Sequence, residues 1–218
     1  MTMIKAAKFG GSSVAGAEQF QKVKAIVEAD PSRSVVVVSA AGKRNAADHK
    51  LTDLLYLCHA HLTYGVSCQD ITDTVRRRFV EIRDMLGLHY RVEDEVDALC
   101  ASLNKDMSVD LLVSRGEYFT AKLMAEYLGY TFVDAADCIF FGFDGQLDRE
   151  KTYAAIRSAH EEYGRILIPG FYGRLPTGKV KVMTRGGSDI TGAILAAALR
   201  KEQCALVTDM LHALADGT

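Results

Sequence analysis

The chain has 218 residues, of which 49% are hydrophobic and 25% are charged, a balance that excludes an intrinsically disordered protein. Its formal net charge of −2 excludes a protein that coats nucleic acid, because such a protein carries a large excess of lysine and arginine. No apolar run approaches the ~18 residues of a membrane-spanning helix, and the five cysteines form no Cys-x-x-Cys pair. We therefore predict no nucleic-acid or membrane partner and a reducing, cytoplasmic compartment.

The first half of the chain predicts two strands and then a long helical region. Residues 4–9 form a strand that runs into a glycine loop and a helix with apolar residues at three- and four-residue steps. Four consecutive valines at 35–38 indicate a strand that is buried on both faces, as in a parallel sheet. Residues 51–104 are helical and are divided into pieces by Gly65 and Gly87.

The second half of the chain alternates helices and strands. The predicted elements are a helix at 118–128, a strand at 130–133, a helix at 151–163, strands at 165–168 and 179–183, a helix at 190–199 and a strand from 205. In the helix at 190–199, the pattern predicts an inward face of Ile190, Ala193, Ile194 and Ala197. This alternation predicts one α/β domain with a mostly parallel sheet, which binds ligands at the carboxyl ends of its strands.

Positions 8–14 (KFGGSSV) combine a cation with a glycine loop at the start of a helix. Gly10 and Gly11 let backbone N–H groups approach an anion closely, and the helix adds the positive end of its dipole. Lys8 places a mobile cation beside this loop, so the combination suits a polyphosphate. A plain glycine turn with an exposed lysine is the alternative. The segment contains neither a Walker A loop nor the Gly-x-Gly-x-x-Gly of a dinucleotide site.

A second glycine loop, at 184–189 (TRGGSD), leads into the alanine-rich helix. Ser188 or Asp189 is a natural N-cap for that helix, and capping is the simpler interpretation of both. Arg185 offers a guanidinium fork that suits a carboxylate or a phosphate, although a surface arginine has the same local pattern.

Two shorter segments are weaker candidates. In SRGE at 114–117, Glu117 suits an ammonium group, but a solvated charge at a helix start is the more common reason for such a residue. In SAAGK at 39–43, Ser39 stands at the carboxyl end of the valine strand, where a hydroxyl can bond a ligand; a plain turn is the alternative.

Two further polar clusters are not interpreted as sites. Cys58, His59 and His61 are close in sequence, but their spacing suits neither a helical i,i+4 pair nor a zinc framework, so no resident metal is predicted. The three arginines at 76–78 are interpreted as a solvated helix face, because no aromatic residues alternate with them.

Taken in order, these loops resemble the aspartate kinase branch of the amino-acid kinase family. The resembling segments are KFGGSSV at 8–14, VVSA at 37–40, SRGE at 114–117, PGFYG at 169–173, RGGSD at 185–189 and the Thr-Asp pair at 208–209. The resemblance implies a mostly parallel central sheet between helices, similar to carbamate kinase. It also implies transfer of the ATP γ-phosphoryl group to the side-chain carboxylate of L-aspartate, the entry to lysine, threonine and methionine synthesis.

The resemblance further implies residue roles. The residues that it assigns to ATP and its magnesium ion are Lys8 for charge neutralisation, Gly10, Gly11, Ser12 and Gly187 for the phosphates, Asp189 to orient Lys8 or the magnesium–phosphate group, and Thr208 and Asp209 near the nucleotide. The residues that it assigns to aspartate are Glu117 for the α-ammonium, Arg185 for a carboxylate, and Ser39 and Ser188 to complete the pocket.

The sequence departs from the family pattern at its end. We expect residues 1–209 to form a catalytic domain that is incomplete on its C-terminal side, 210–218 to be a divergent tail, and no ACT regulatory domain to be present. A non-catalytic remnant that binds aspartate or nucleotide, or that pairs with an intact subunit, is therefore the alternative function. A relative that acts on another acid is a further alternative, and association into a homo-oligomer stays open.

Overall fold

The computed structural model describes residues 4–184, 186–199 and 205–208, the last segment by its backbone. The strands are β1 (Lys5–Phe9), β2 (Val35–Val38), β3 (Thr131–Phe132), β4 (Ile166–Pro169), β5 (Tyr172–Arg174), β6 (Val180–Val182) and β7 (Ala205–Thr208). The helices are α1 (Ala17–Glu28), α2 (Leu51–Tyr64), α3 (Gln69–Leu86), α4 (Val92–Ser102), α5 (Val109–Leu128), α6 (Ala135–Cys138), α7 (Arg149–Tyr163) and α8 (Gly187–Ala198). A 3-10 turn, Gly11–Val14, follows β1.

Five strands form a parallel sheet in the order β3-β4-β2-β1-β7. The chain leaves β1 toward β2 and β4 and returns at β7 on the other side of β1. The strand order therefore reverses at β1, and a parallel sheet binds its ligand at the carboxyl end of such a reversal. The strands β5 and β6 form a separate antiparallel hairpin.

Helices cover both faces of the sheet. One apolar cluster joins α1, α2, α3, α4 and α5 to one face, and a second joins α6, α7, α8 and the β5–β6 hairpin to the other. The four valines of β2 are completely buried between these clusters, as the valine run predicts. The predicted α/β fold with a mostly parallel sheet between helices is confirmed. Along the described ranges, every helix is too short or too polar to cross a lipid bilayer.

The glycines that divide the helical region act as predicted. Gly65 and Gly87 end α2 and α3 in the left-handed conformation, with φ of 68° and 64°. Glycine adopts this conformation without a steric cost, so each helix stops where its glycine stands.

The structure corrects three predictions about elements. Helix α5 begins at Val109, nine residues before its predicted start, so the SRGE segment lies inside the helix and Glu117 is not at a helix start. The strand β5 and the short helix α6 were not predicted. In α8, the predicted inward residues Ile190 and Ala193 are exposed.

The buried face of α8 consists of small and polar residues as well as apolar ones. Thr191, Gly192, Leu195 and Ala198 are buried together with Ile194, the one residue of the predicted face that is correctly placed in the core. The Thr191 hydroxyl accepts a hydrogen bond from the Phe171 amide and donates to the Gly187 carbonyl. These hydrogen bonds satisfy the buried hydroxyl of Thr191. A prediction from hydrophobicity alone leaves this threonine out and therefore assigns the wrong face of the helix to the core.

The loops after β1 and β2 meet through two glycines. The Gly42 amide donates to the Gly11 carbonyl at 2.7 Å. A β-carbon on Gly42 would lie 2.6 Å from the carbonyl carbon and oxygen of Gly11, which is closer than any side chain allows. This backbone contact joins the carboxyl ends of the two central strands.

We predict that Gly42→Ala forces the two loops apart. Overpacking of this kind costs about 1–3 kcal/mol, so the unfolding midpoint in urea falls. The control is Gly16→Ala, because Gly16 has extended backbone and the nearest atom to an added β-carbon is 3.6 Å away. This variant loses only the preference of glycine over alanine at the N-cap of α1, so its midpoint falls less than that of Gly42→Ala. Equal midpoints for the two variants contradict the prediction.

Candidate active site

A cleft of about 900 Å³ opens at the carboxyl edge of the sheet. A volume of this size can hold a nucleotide tail and a small acid together. The loops after β1, β2 and β4, helix α5 and the start of α8 all contribute to it. The lining includes Lys8, Gly10, Gly11, Ser12, Ser39, Glu117, Phe171, Gly187, Ser188 and Asp189, together with Lys43 and Lys50 from the segment before α2 and Thr52 and Asp53 from the first turn of α2.

Lys8 and Asp189, which both line this cleft, form an ion pair. The Lys8 Nζ lies 2.9 Å from the Asp189 Oδ1, although the two residues are far apart in sequence. The Lys8 side chain is 8% exposed, whereas that of Asp189 is 61% exposed. Lys8 is therefore held in place inside the protein, and the carboxylate that holds it remains open to a ligand.

The start of α8 does not use Ser188 or Asp189 as its cap. Its N-cap is Gly186, with φ of 83°, and no side chain caps the helix. Both residues lie in the first helical turn, where Ser188 is buried and Asp189 points to Lys8. The capping interpretation is therefore wrong: the amides of Asp189 and Ile190 donate to the Gly186 carbonyl, and no described side chain accepts from the first N–H groups of the helix.

Glu117 is a buried carboxyl group on the wall of the cleft. Its residue surface is 4% exposed, and its Oε2 has no hydrogen-bond partner among the described residues. Burial raises the pKa of Glu117 to about 8, against the lowering effects of the Ala40 backbone and the Arg115 charge. The interpretation of Glu117 as a solvated charge is therefore wrong. A buried carboxyl of this kind is completed by a cationic or hydrogen-bonding ligand.

Helix α5 reaches the cleft because Gly116 allows close contact. A β-carbon on Gly116 would lie 3.0 Å from the Ala40 β-carbon, so this glycine brings the helix against the loop after β2. One turn later, the Thr120 hydroxyl accepts a hydrogen bond from the Ala41 amide and donates to the Gly116 carbonyl. These contacts fix Glu117 against the loop that carries Ser39.

Most of the predicted site residues come together. Lys8, Gly10, Gly11, Ser12, Ser39, Glu117, Gly187, Ser188 and Asp189 all line the one cleft. Thr208 lies in β7 and pairs in register with Lys8, which places its backbone beside the same strand end. Arg185 and Asp209 lie outside the described residues.

Sequence reasoning missed the buried member of the arginine run. Arg78 is 2% exposed and bonds three backbone carbonyls beneath the cleft, so the solvated-face interpretation is wrong for it. The signal was its spacing, because Arg78 stands three residues after Val75 and four before Ile82, within the apolar stripe of α3.

Phe171 is a second residue whose importance shows only in the structure. It is not a glycine, yet its φ is 80°, an uncommon backbone conformation for such a residue. Its amide and carbonyl are both bonded, to the Thr191 hydroxyl and the Met183 amide. The surrounding contacts therefore hold the strained backbone against the cleft.

The arrangement can bind two anions side by side. Lys8, two glycine-rich loops and the start of α8 offer positive potential, while Glu117 and Asp189 suit an ammonium group or a cation. A small molecule that carries an ammonium group and a carboxylate, bound together with a polyphosphate, would satisfy these groups. Among the described contacts, no serine or cysteine that lines the cleft is paired with a histidine.

Comparison with known proteins places the whole described site in one family. The model of the amino acid kinase family matches residues 3–211. Aspartokinase 3 of Bacillus subtilis is 35% identical over 221 residues, which cover 95% of this chain and 49% of that protein. Chloroplastic aspartokinase 1 of Arabidopsis thaliana is 30% identical, with 88% of this chain and 37% of that protein covered.

Solved structures give the same result. The crystal structure of Clostridium acetobutylicum aspartate kinase is similar with a TM-score of 0.88 and 39% identity, over 91% of this chain and 46% of that one. The structure of E. coli aspartokinase III in complex with aspartate and ADP is similar with a TM-score of 0.77 and 26% identity, over 94% and 49%. The chain thus spans about half the length of these proteins.

We predict that Glu117→Gln stabilises the protein in a pH-dependent way. With a pKa of about 8 when folded and an ordinary value of 4.5, the carboxyl holds a proton in the folded state that the unfolded chain releases between these values. The contribution of Glu117 to stability therefore falls as pH rises from 4.5 to 8. Glutamine does not titrate, so the variant melts at a higher temperature than the parent at pH 8.5, by ~5 °C or more, and close to the parent at pH 5.

The matched control is Glu161→Gln, at an exposed position on α7. Its melting temperature follows that of the parent at both pH values. A constant difference between Glu117→Gln and the parent across this pH range rules out the raised pKa.

Proposed function

The chain belongs to the amino acid kinase family, and from this membership we propose that it binds ATP and L-aspartate and transfers the γ-phosphoryl group to the side-chain carboxylate of aspartate. The product is 4-phospho-L-aspartate. The single observation that carries the proposal is the Lys8–Asp189 ion pair in the same cleft as the buried Glu117. The likeness to aspartokinases, one of them solved with aspartate and ADP, supports the choice of substrates.

The nucleotide phosphates lie against the loop after β1 and the start of α8. Gly10, Gly11 and Ser12 present backbone N–H groups and a hydroxyl, and Gly187 adds the positive end of α8. Lys8 neutralises charge on the phosphoryl group as it moves. In this proposal Thr208 and Asp209 lie beside the nucleotide, and residues 1–209 act as one catalytic unit.

Aspartate occupies the part of the cleft between α5 and the loop after β4. The α-ammonium group pairs with Glu117, whose carboxyl releases its proton to solvent as the cation binds, and provides the partner that its Oε2 lacks among the described residues. Ser39 and Ser188, which both line the cleft, bond the substrate. Arg185 holds a carboxylate with its planar fork.

The chemistry needs positioning and charge stabilisation more than a strong base. The aspartate side chain is ionised near neutral pH and attacks phosphorus directly, with ADP as the leaving group. The main barrier is the approach of two anions. Lys8 and the oriented N–H groups lower that barrier because they are fixed before the substrates arrive.

A magnesium ion accompanies ATP in this proposal. Among the described residues, no cluster of three or more acidic, histidine or cysteine side chains could hold a metal by itself. The Asp189 side chain is 61% exposed, so its carboxylate could contact a magnesium ion that is held mainly by the phosphates. When bound, the ion neutralises charge on the phosphates, while Asp189 also orients Lys8.

The setting of the reaction is part of the proposal. We assign the product to the synthesis of lysine, threonine and methionine. We also assign the protein to the cytoplasm, since Cys58, Cys68, Cys100 and Cys138 are free thiols.

We predict that Lys8→Ala folds and loses turnover by about 10²–10³-fold, as expected for the loss of one preorganised charge. The measurement is ADP release with aspartate and MgATP. The matched control is Lys5→Ala on the same strand, since Lys5 pairs with Asp30 at the other end of β1. Lys5→Ala keeps parental turnover, and a Lys8→Ala rate within threefold of the parent contradicts the assigned role.

We predict that aspartate and MgADP each raise the melting temperature of the parent. A ligand at 100 times its Kd adds about 2.7 kcal/mol of stability. Glutamate and N-acetylated acids give smaller shifts, since the latter have no ammonium group for Glu117. A shift without turnover identifies a binding protein rather than a kinase, and a stronger response to another acid rejects aspartate as the substrate.

A further inference from the structure

Arg78 is a buried cation that lies behind the cleft and not in its wall. Helix α3 carries it between Arg77, which is exposed, and Phe79, which is completely buried. The guanidinium is therefore inside the protein, among backbone atoms of residues distant in sequence.

Three backbone carbonyls accept hydrogen bonds from this guanidinium. Its Nη1 donates to the His49 carbonyl at 2.7 Å. Its Nη2 donates to the Gly42 carbonyl at 2.5 Å and to the Ala15 carbonyl at 3.4 Å. Ala15 follows the turn after β1, whereas Gly42 and His49 lie in the segment between β2 and α2. One side chain thus ties both loops to α3.

Nearby carboxylates offset part of the cost of burying this charge, and the Nε of Arg78 has no hydrogen-bond partner among the described residues. Desolvation lowers the pKa of Arg78, and the Asp48 carboxylate, 3.6 Å from Nη2, opposes the effect. Arg44 bonds Asp48 and, with its other nitrogen, Glu81 on α3. The segment 42–49 is therefore held to one face of α3 by both its backbone and its charges.

Gly42 connects Arg78 to the loop after β1. Its carbonyl accepts from Arg78, and its amide donates to the Gly11 carbonyl. Gly11 belongs to the loop that faces the cleft, and the same 42–49 segment carries Lys43 on the cleft rim. Any shift of the Gly42 backbone therefore moves both sides of the site.

We propose that Arg78 is a positioning residue of the nucleotide site, which fixes the loop after β1 and the segment 42–49 in the spacing that the phosphates require. The assignment of phosphates to this cleft rests on the proposed function. Lysine cannot replace the arginine fully, because an ammonium group has no planar fork to reach three carbonyls at once.

The first test measures loop order and does not depend on activity. Hydrogen exchange of the backbone amides is followed by mass spectrometry in the parent, Arg78→Lys, Arg78→Met and the matched control Arg77→Met. We expect exchange in 11–16 and 41–50 to rise about tenfold or more in the Arg78 variants, with α5 and α7 unchanged. Parental exchange in both loops overturns the proposal. If Arg78→Met does not fold, Arg78→Lys decides.

The second test separates positioning from general stability. The Kd for MgADP is measured by titration calorimetry at a temperature where circular dichroism shows each variant folded. We expect Arg78→Met to weaken binding about tenfold or more, Arg78→Lys to be intermediate, and Arg77→Met to match the parent. A lower melting temperature with a parental Kd identifies a structural residue and overturns the proposal.

Failure of the proposed function has a different signature. In that case the parent itself neither binds MgADP nor releases ADP from ATP, whatever residue stands at position 78. The exchange experiment then decides the loop-fixing role of Arg78 by itself.

Discussion

The close approach of Gly42 to Gly11 joins the loops after the two central strands, and the rest of the cleft is arranged around it. Parallel strands bring their carboxyl ends to one edge of the sheet. Side chains at the contact between the loops that follow would hold those loops apart. A backbone-to-backbone contact removes that barrier, since neither residue has a β-carbon. Lys8 is the second-to-last residue of β1, so it stands next to the loop after β1, and its side chain reaches Asp189 at the start of α8.

Local patterns predict the elements whose cause is local. The valine run predicts β2 because burial on both faces needs an unbroken apolar strand, and Gly65 and Gly87 predict helix ends because glycine accepts positive φ. The start of α5 is different. Ser114 and Gly116 resemble a loop, yet they are helical because the helix packs against Ala40, a contact that no local pattern contains. Tertiary packing here overrides propensity.

The candidate site shows the same division. Glycine loops beside a cation and a helix start predict an anion site from the sequence, and the structure gathers nine of those residues in one cleft. The burial of a charged residue is what the sequence does not predict. Glu117 and Arg78 have the composition of surface residues, and their burial depends on carbonyls and loops distant in the chain. For Arg78 the apolar spacing was visible, but a row of arginines has the opposite meaning in most helices.

The buried side chains of Glu117 and Arg78 and the Lys8–Asp189 ion pair differ in how many partners each has within the protein. Lys8 has Asp189, and the two terminal nitrogens of Arg78 have three carbonyls and Asp48, whereas the Nε of Arg78 has no partner among the described residues. Glu117 has no such partner for its Oε2 among the described residues, and its raised pKa shows the cost. With that pKa, Glu117 holds its proton at neutral pH, and a cation bound beside it would favour the ionised form. The described structure therefore holds Lys8 by an ion pair and Arg78 by three carbonyls, and leaves the Oε2 of Glu117 open to a hydrogen-bonding or cationic ligand.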